Sequence, residues 1–174
     1  MIKLSIQTKK EILNWLITLS LAIVLSLFIR HYLYQPCRVQ MGSMQPTLYE
    51  NDLVLINKFD YLLHSPQRGD IVVFRPPSVA KDLYIKRLIG LPGDIVEVRT
   101  GFVYINNQKI DEPYLSIETP GQYGPTKLGS DEFFVMGDHR NNSLDSREFG
   151  PINLTNIAGK AFLIIWPLKD LKRI

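Results

Sequence analysis

Residues 41–48 read MGSMQPTL and set Ser43 between Gly42 and, three positions on, Pro46. A serine in this setting serves either in a turn or as a nucleophile at the end of a strained loop. A nucleophile needs a base, and His31, His64 and His139 are far apart in the chain. Asp138 and His139 are adjacent, which does not suit a Ser-His-Asp triad, because the carboxylate must reach the ring nitrogen opposite the serine. A lysine can take the proton instead if it is held neutral. Lys86 lies in LYIKRLIGLPGD. Strand alternation there puts Leu83, Ile85, Arg87 and Ile89 on one face and Tyr84, Lys86 and Leu88 on the other. Arg87 stays charged and can only be a paired cation, whereas a desolvated Lys86 becomes an amine. Taken alone, the segment favours an edge lysine whose ammonium snorkels to water.

The stretch GDHRNNSLDSR, residues 137–147, is dense in hydrogen-bonding side chains. A polar run of this kind is by default a solvated loop. Asp138, Asp145, Arg140 and Arg147 nevertheless allow internal ion pairs, and Ser143 and Ser146 offer hydroxyls, so the loop can be ordered beside a site. A serine next to glycine, a lysine among apolar strand neighbours and a serine-rich polar loop together match a Ser–Lys hydrolase. The serine attacks and the neutral lysine takes its proton. An ordinary lysine, with a pKa near 10.4, is only about 0.04% neutral at pH 7. A pKa of roughly 8.5 would raise that share to about 3%.

These groups need a scaffold. Beyond Pro36 the chain consists of short β-rich runs separated by turns: residues 53–58, 71–75, 83–89, 95–99, 102–105, 132–136 and 161–166. Gly-Asp recurs at 69–70, 93–94 and 137–138, and Thr100-Gly101 and Asn106-Asn107 suit tight hairpins. The Pro/Gly-rich stretch 111–131 reads as a long excursion within one domain. The expected fold is mainly β, an antiparallel sheet or partly closed barrel, preceded by one transmembrane helix.

That helix is expected over residues 12–30, where the run ILNWLITLSLAIVLSLFI carries no charge. It spans about 27 Å at ~1.5 Å per residue, close to the bilayer core. Trp15, Tyr32 and Tyr34 suit interfacial anchors. A cleaved secretory signal would be followed by small residues, whereas this run ends in RHYLYQP, so a retained anchor is expected. Lys3, Lys9 and Lys10 against Arg30 and Arg38 favour a cytoplasmic N-terminus. Residues 1–11 then form a cytoplasmic arm and residues 31–174 an extracytoplasmic domain.

Composition narrows the alternatives. The chain has 174 residues, a net charge of +3 and scattered basic residues, which argues against nucleic acid as a partner. The single cysteine, Cys37, precludes an internal disulfide, and three widely separated histidines argue against zinc. No metal or cofactor is expected.

The motifs also resemble a family, the type I signal peptidases, which are membrane-bound Ser–Lys endopeptidases. The resemblance runs through GSMQPTL, GDIVVFRPP, YIKRLIGLPGD, VYINNQKIDEPY, FFVMGDHRNNSLDSREFGPI and IAGKAFLIIWP, in the family's order. It implies Ser43 as nucleophile, Lys86 as general base and Ser143 as the hydroxyl that hydrogen-bonds the amine. It further implies an Asp145–Arg147 ion pair, structural charges at Asp138 and Arg87, and room for the backbone at Gly42. The implied substrates are secretory precursors, cut after a small residue with another two positions earlier. The implied location is the lipid bilayer of the plasma membrane, with a thylakoid membrane also compatible. A specialised Ser–Lys protease with few clients and a noncatalytic anchored peptide-binding β-domain are the alternatives.

Three positions depart from the family pattern, one of them Asn141, which stands where aspartate is frequent. Met41 stands where many members have serine or glycine; a serine there can help bind the oxyanion and Met41 cannot, leaving the Ser43 backbone N–H as the identified donor. His139 stands where asparagine is commoner and reads as a surface substitution.

Overall fold

The structure is a computed structural model that describes residues 6–77 and 82–174; Lys3 and the side chain of Tyr32 lie outside it. Helix α1 (Ile6–Phe28) runs on into a π-helical turn, Ile29–Leu33. It starts before the expected anchor because Gln7, Lys9, Lys10 and Glu11 are good helix formers. Residues Gln7–Phe28 are long and apolar enough to cross a membrane, and none of that span is buried against the rest of the protein. Leu13, Trp15, Leu16, Leu21 and Leu27 all face outward. A helix that is apolar all round and unpacked has the surface of a membrane span.

The strands are β1 (Tyr34–Arg38), β2 (Leu53–Asn57), β3 (Ile71–Phe74), β4 (Tyr84–Gly90), β5 (Ile95–Arg99) and β6 (Phe102–Ile105). They continue as β7 (Gln108–Lys109), β8 (Tyr123–Lys127), β9 (Glu132–Met136), β10 (Ile152–Asn153), β11 (Ile157–Trp166) and β12 (Lys172–Arg173). Short helices α2 (Asp60–Leu63) and α3 (Ser146–Phe149) interrupt them. All described strand pairs are antiparallel. The larger sheet, a curled half-barrel, has the order β1-β2-β11-β3-β4-β9-β10, with β12 on β11. The smaller sheet runs β7-β6-β5-β8.

The expected strands form with changes of at most one residue at their ends, except that β11 begins four residues early at Ile157, while others emerge where composition hides them. Strand β8 lies inside the 111–131 excursion and contains Gly124 and Pro125. It pairs only with β5, at a sheet edge, where proline costs no ladder bond. Pro36 is accommodated in the same way in β1. The hairpin turns behave as expected, with positive φ at Thr100, Gly101, Asn106 and Asn107.

Strand β3 is buried on both faces, which explains its unbroken apolar run. Its Ile71 and Val73 join Val54, Ile56, Ala161 and Ile164 in one core cluster, and its Val72 and Phe74 join Leu88, Phe133 and Val135 in another. A further cluster, with Ile89, Val96, Val103, Phe134 and Met136, ties the small sheet to the large one. The first cluster also takes in Met44 and Leu48, on the loop that carries Ser43. Full burial of such side chains contributes about 1.5–3 kcal/mol each. The loop is thereby pinned to the sheet just beyond the serine.

Candidate active site

Strand β4 lies inside the sheet, between β3 and β9, with Lys86 opposite Val72 and Arg87 opposite Ile71. Lys86 therefore has no edge from which to reach water. The ordinary reading of an edge lysine fails here: Lys86 is 2% exposed and Ser43 is 7% exposed. Their reactive atoms meet, with Lys86 Nζ donating to Ser43 Oγ over 2.6 Å. With the amine neutral, the same contact can run in reverse and receive the serine proton.

Burial lowers the Lys86 pKa to about 8, against opposing pulls from the Asp145 and Asp138 carboxylates and with some help from Arg147. Desolvation wins because Nζ makes no direct ion pair with either carboxylate. The Tyr84 ring, centred 5.6 Å from Nζ, adds a mild attraction for the charged form.

The neighbouring charges are committed elsewhere. Arg87 Nε donates to Asp138 Oδ1 over 2.9 Å and Nη2 to Asp138 Oδ2 over 2.6 Å. The Thr47 hydroxyl also donates to Asp138 Oδ2. This buried cluster joins β4, the loop after β9 and the Ser43 loop. Arg147 Nε and Nη2 grip Asp145 over 2.8 and 2.9 Å, and Arg147 Nη2 also donates to the Arg140 carbonyl over 2.7 Å. Asp145 in turn accepts from the Gly137 N–H over 3.0 Å. The ion pair implied for Asp145 and Arg147 is present, and the two structural charges implied at Asp138 and Arg87 pair with each other.

Ser143 departs from expectation. Its hydroxyl is buried without a hydrogen-bond partner, so the bond expected to the Lys86 amine is not made in this arrangement. It does lie beside the site. A Cβ built at Gly137 would collide with both Ser143 Oγ and the Ser43 carbonyl oxygen. Glycine at 137 is thus what lets the Ser143 hydroxyl and the nucleophile loop approach one another.

Thr47 was not singled out from sequence, and Arg140 was, but as a partner within its own loop rather than for Glu112. Thr47 falls four residues after the serine, too ordinary a threonine to stand out. Arg140 is fully buried; its Nε donates to the Gly137 carbonyl over 3.0 Å, its Nη1 to Thr119 over 2.5 Å and to Glu112 over 3.0 Å. The excursion thereby packs onto the loop behind the serine, a long-range pairing that spacing does not reveal. Arg87 stacks 3.9 Å from the centre of the Tyr114 ring, within the same excursion.

His139 is not a surface substitution. It is half-buried, its backbone N–H donates to the Ser43 carbonyl over 3.0 Å, and its Nδ1 lies 3.1 Å from the Gly42 carbonyl. Gly42 itself packs against the Gln45 amide, which a Cβ would approach to 3.0 Å. Met41 is 60% exposed and offers no donor. The Ser43 N–H has no hydrogen-bond partner among the described residues. No group of His, Cys, Asp and Glu among the described residues could hold a metal ion.

Known proteins resemble this chain in sequence and in fold. The family model described as "Signal peptidase, peptidase S26" matches residues 12–166. A probable signal peptidase I-2 of Synechocystis sp. is 41% identical over 156 residues, covering 87% of this chain and 72% of that protein. Signal peptidase I S of Bacillus subtilis (strain 168) is 36% identical over 181 residues, covering 97% of each chain. The crystal structure of a signal peptidase I from Enterococcus faecalis V583 superposes with a TM-score of 0.51 at 32% identity, over 56% of this chain and 97% of that one.

Proposed function

Since the chain belongs to the signal peptidase family, peptidase S26, whose members are serine endopeptidases, we propose that Ser43 and Lys86 are its catalytic dyad. We propose further that it removes signal peptides from secreted precursors. One observation carries the dyad: a buried lysine amine 2.6 Å from a buried serine hydroxyl.

In the reaction, Ser43 Oγ attacks the scissile carbonyl while neutral Lys86 accepts its proton. The Ser43 N–H donates to the tetrahedral oxyanion. The Lys86 ammonium then protonates the leaving amine, and water hydrolyses the acyl-enzyme with Lys86 again as base. At a pKa of about 8, roughly a tenth of Lys86 is neutral at pH 7, a few hundred times the share of a free lysine. Ser143, already beside the site, orients the amine once substrate excludes water. Asp145 and Arg147 hold the loop that carries it.

Residues 1–11 lie on the cytoplasmic side, residues 12–30 span the membrane, and the domain from residue 31 works on the far side. Attachment there confines enzyme and anchored precursor to one surface and raises their effective concentration. Cleavage after small residues of the Ala-X-Ala type follows from an extended peptide that docks along a strand edge and presents alternate side chains to the enzyme.

Purified full-length protein in detergent, incubated with a precursor bearing an Ala-X-Ala site, is expected to release a mature product whose N-terminal sequence begins directly after that site. Ser43→Ala is expected to leave the precursor intact. Cleavage elsewhere, or cleavage that survives Ser43→Ala, rejects the reading.

A further inference from the structure

We infer that His139 is a positioning residue for the oxyanion donor: its ring and backbone together fix the Ser43 N–H in place. The inference rests on the reading of Ser43 as nucleophile. Its basis is a peptide unit. The Gly42 carbonyl and the Ser43 N–H belong to one planar trans amide, so they point in opposite directions. Whatever holds the carbonyl aims the N–H.

The Gly42 carbonyl has His139 Nδ1 at 3.1 Å and accepts the Gln45 N–H at 3.1 Å. A carbonyl oxygen has lone pairs for both and donates nothing, so Nδ1 must carry the proton. The neutral Nδ1–H tautomer and the imidazolium both supply it, so the bond does not depend on ring charge. The His139 N–H takes the next carbonyl, that of Ser43, over 3.0 Å. One residue therefore holds the peptide planes on both sides of the nucleophile. Donation into the Gly42 carbonyl also polarises that amide and strengthens its N–H as a donor.

The arrangement answers a deficit. Met41 cannot contribute a side-chain donor, and the Ser43 N–H is without a partner among the described residues. With one identified donor for the oxyanion, the orientation of that donor weighs more heavily.

Three full-length variants in detergent separate a donor role from simple packing. His139→Leu removes the ring donor, and His139→Asp offers a side-chain oxygen that only accepts. His139→Asn places an amide N–H where Nδ1 was. All keep the backbone N–H on the Ser43 carbonyl. His139→Leu and His139→Asp are expected to lower kcat for an Ala-X-Ala precursor by about 10- to 100-fold, with KM changed less than about twofold. Their affinity for a matching peptide aldehyde, which forms a tetrahedral adduct on Ser43, is expected to fall in parallel. His139→Asn is expected to recover most of both losses. Wild-type rates in all three variants would overturn the inference, as would an equal loss in all three. Ser43→Ala, measured alongside, keeps the two readings apart. If it retains activity, the assignment of the nucleophile fails as well. If it is inactive while His139 proves indifferent, only the positioning role fails.

Discussion

Lys86→Ala is expected to lower kcat/KM for precursor cleavage by at least about a thousandfold, or ~4 kcal/mol of transition-state stabilisation. The size follows from geometry. Lys86 Nζ is the only side-chain atom hydrogen-bonded to Ser43 Oγ among the described residues. His139, whose backbone N–H meets the Ser43 carbonyl, turns its ring to the Gly42 carbonyl instead. Among the described residues, no second base contacts the Ser43 hydroxyl. Lys86→Arg is not expected to rescue the rate, because a guanidinium does not give up its proton at working pH. Lys86→Met supplies the control. It keeps the stem that packs on β3 and removes a buried amine, so thermal unfolding in detergent should occur at the wild-type temperature or above it. An inactive Lys86→Met of undiminished stability assigns the loss to chemistry.

The second large effect concerns folding. Asp138→Ala is expected to destabilise the protein by about 3–5 kcal/mol, because it leaves the Arg87 guanidinium buried without its carboxylate. The Asp138 side chain is 0% exposed and that of Arg87 11%, so solvent does little to screen the loss. Such a loss is a large fraction of a typical domain's ~5–15 kcal/mol. The same substitution removes the acceptor of the Thr47 hydroxyl and leaves it only the Arg87 Nη2 donor at 3.3 Å, so the Ser43 loop loses a tie and activity falls with stability. Arg87→Met combined with Asp138→Leu should recover much of the stability, since an apolar pair removes both desolvation costs. Denaturant unfolding of the singles and the double, followed by tryptophan fluorescence, checks the cycle. If Asp138→Ala unfolds like the wild type, the buried pair does not carry the loop.

Most of the scaffold was legible because its strands are apolar, short and bounded by turn residues. Strands β5, β6 and β9 begin and end where alternation said they would. Strands β1 and β8 were hidden by Pro36 and Pro125, which read as breakers until edge pairing is known. The site was legible as residue types but not as partners. The Asp145–Arg147 pair was legible from the family motif, whereas Arg87 and Asp138 read only as separate structural charges until their contact is seen. The burial of Lys86 could not, because a strand's sequence does not say whether it is an edge; its place between β3 and β9 decides that. Ser143 was placed in the right neighbourhood, yet its hydroxyl makes no bond to the amine. His139 was misjudged for a related reason. A polar side chain in a polar loop looks solvated until the carbonyl it meets, nearly a hundred residues earlier, comes into view.

The role of Lys86 as base is tested most directly by the pH dependence of kcat/KM for precursor cleavage, which reports the ionisations of the free enzyme. Burial lowers the Lys86 pKa to about 8, and the neutral form is the active one. The rate should therefore climb about tenfold per pH unit below that value and level off above it, with the midpoint near pH 8. A rate independent of pH across this range, or a midpoint near ~6.5 as for an unperturbed histidine, would contradict the assignment.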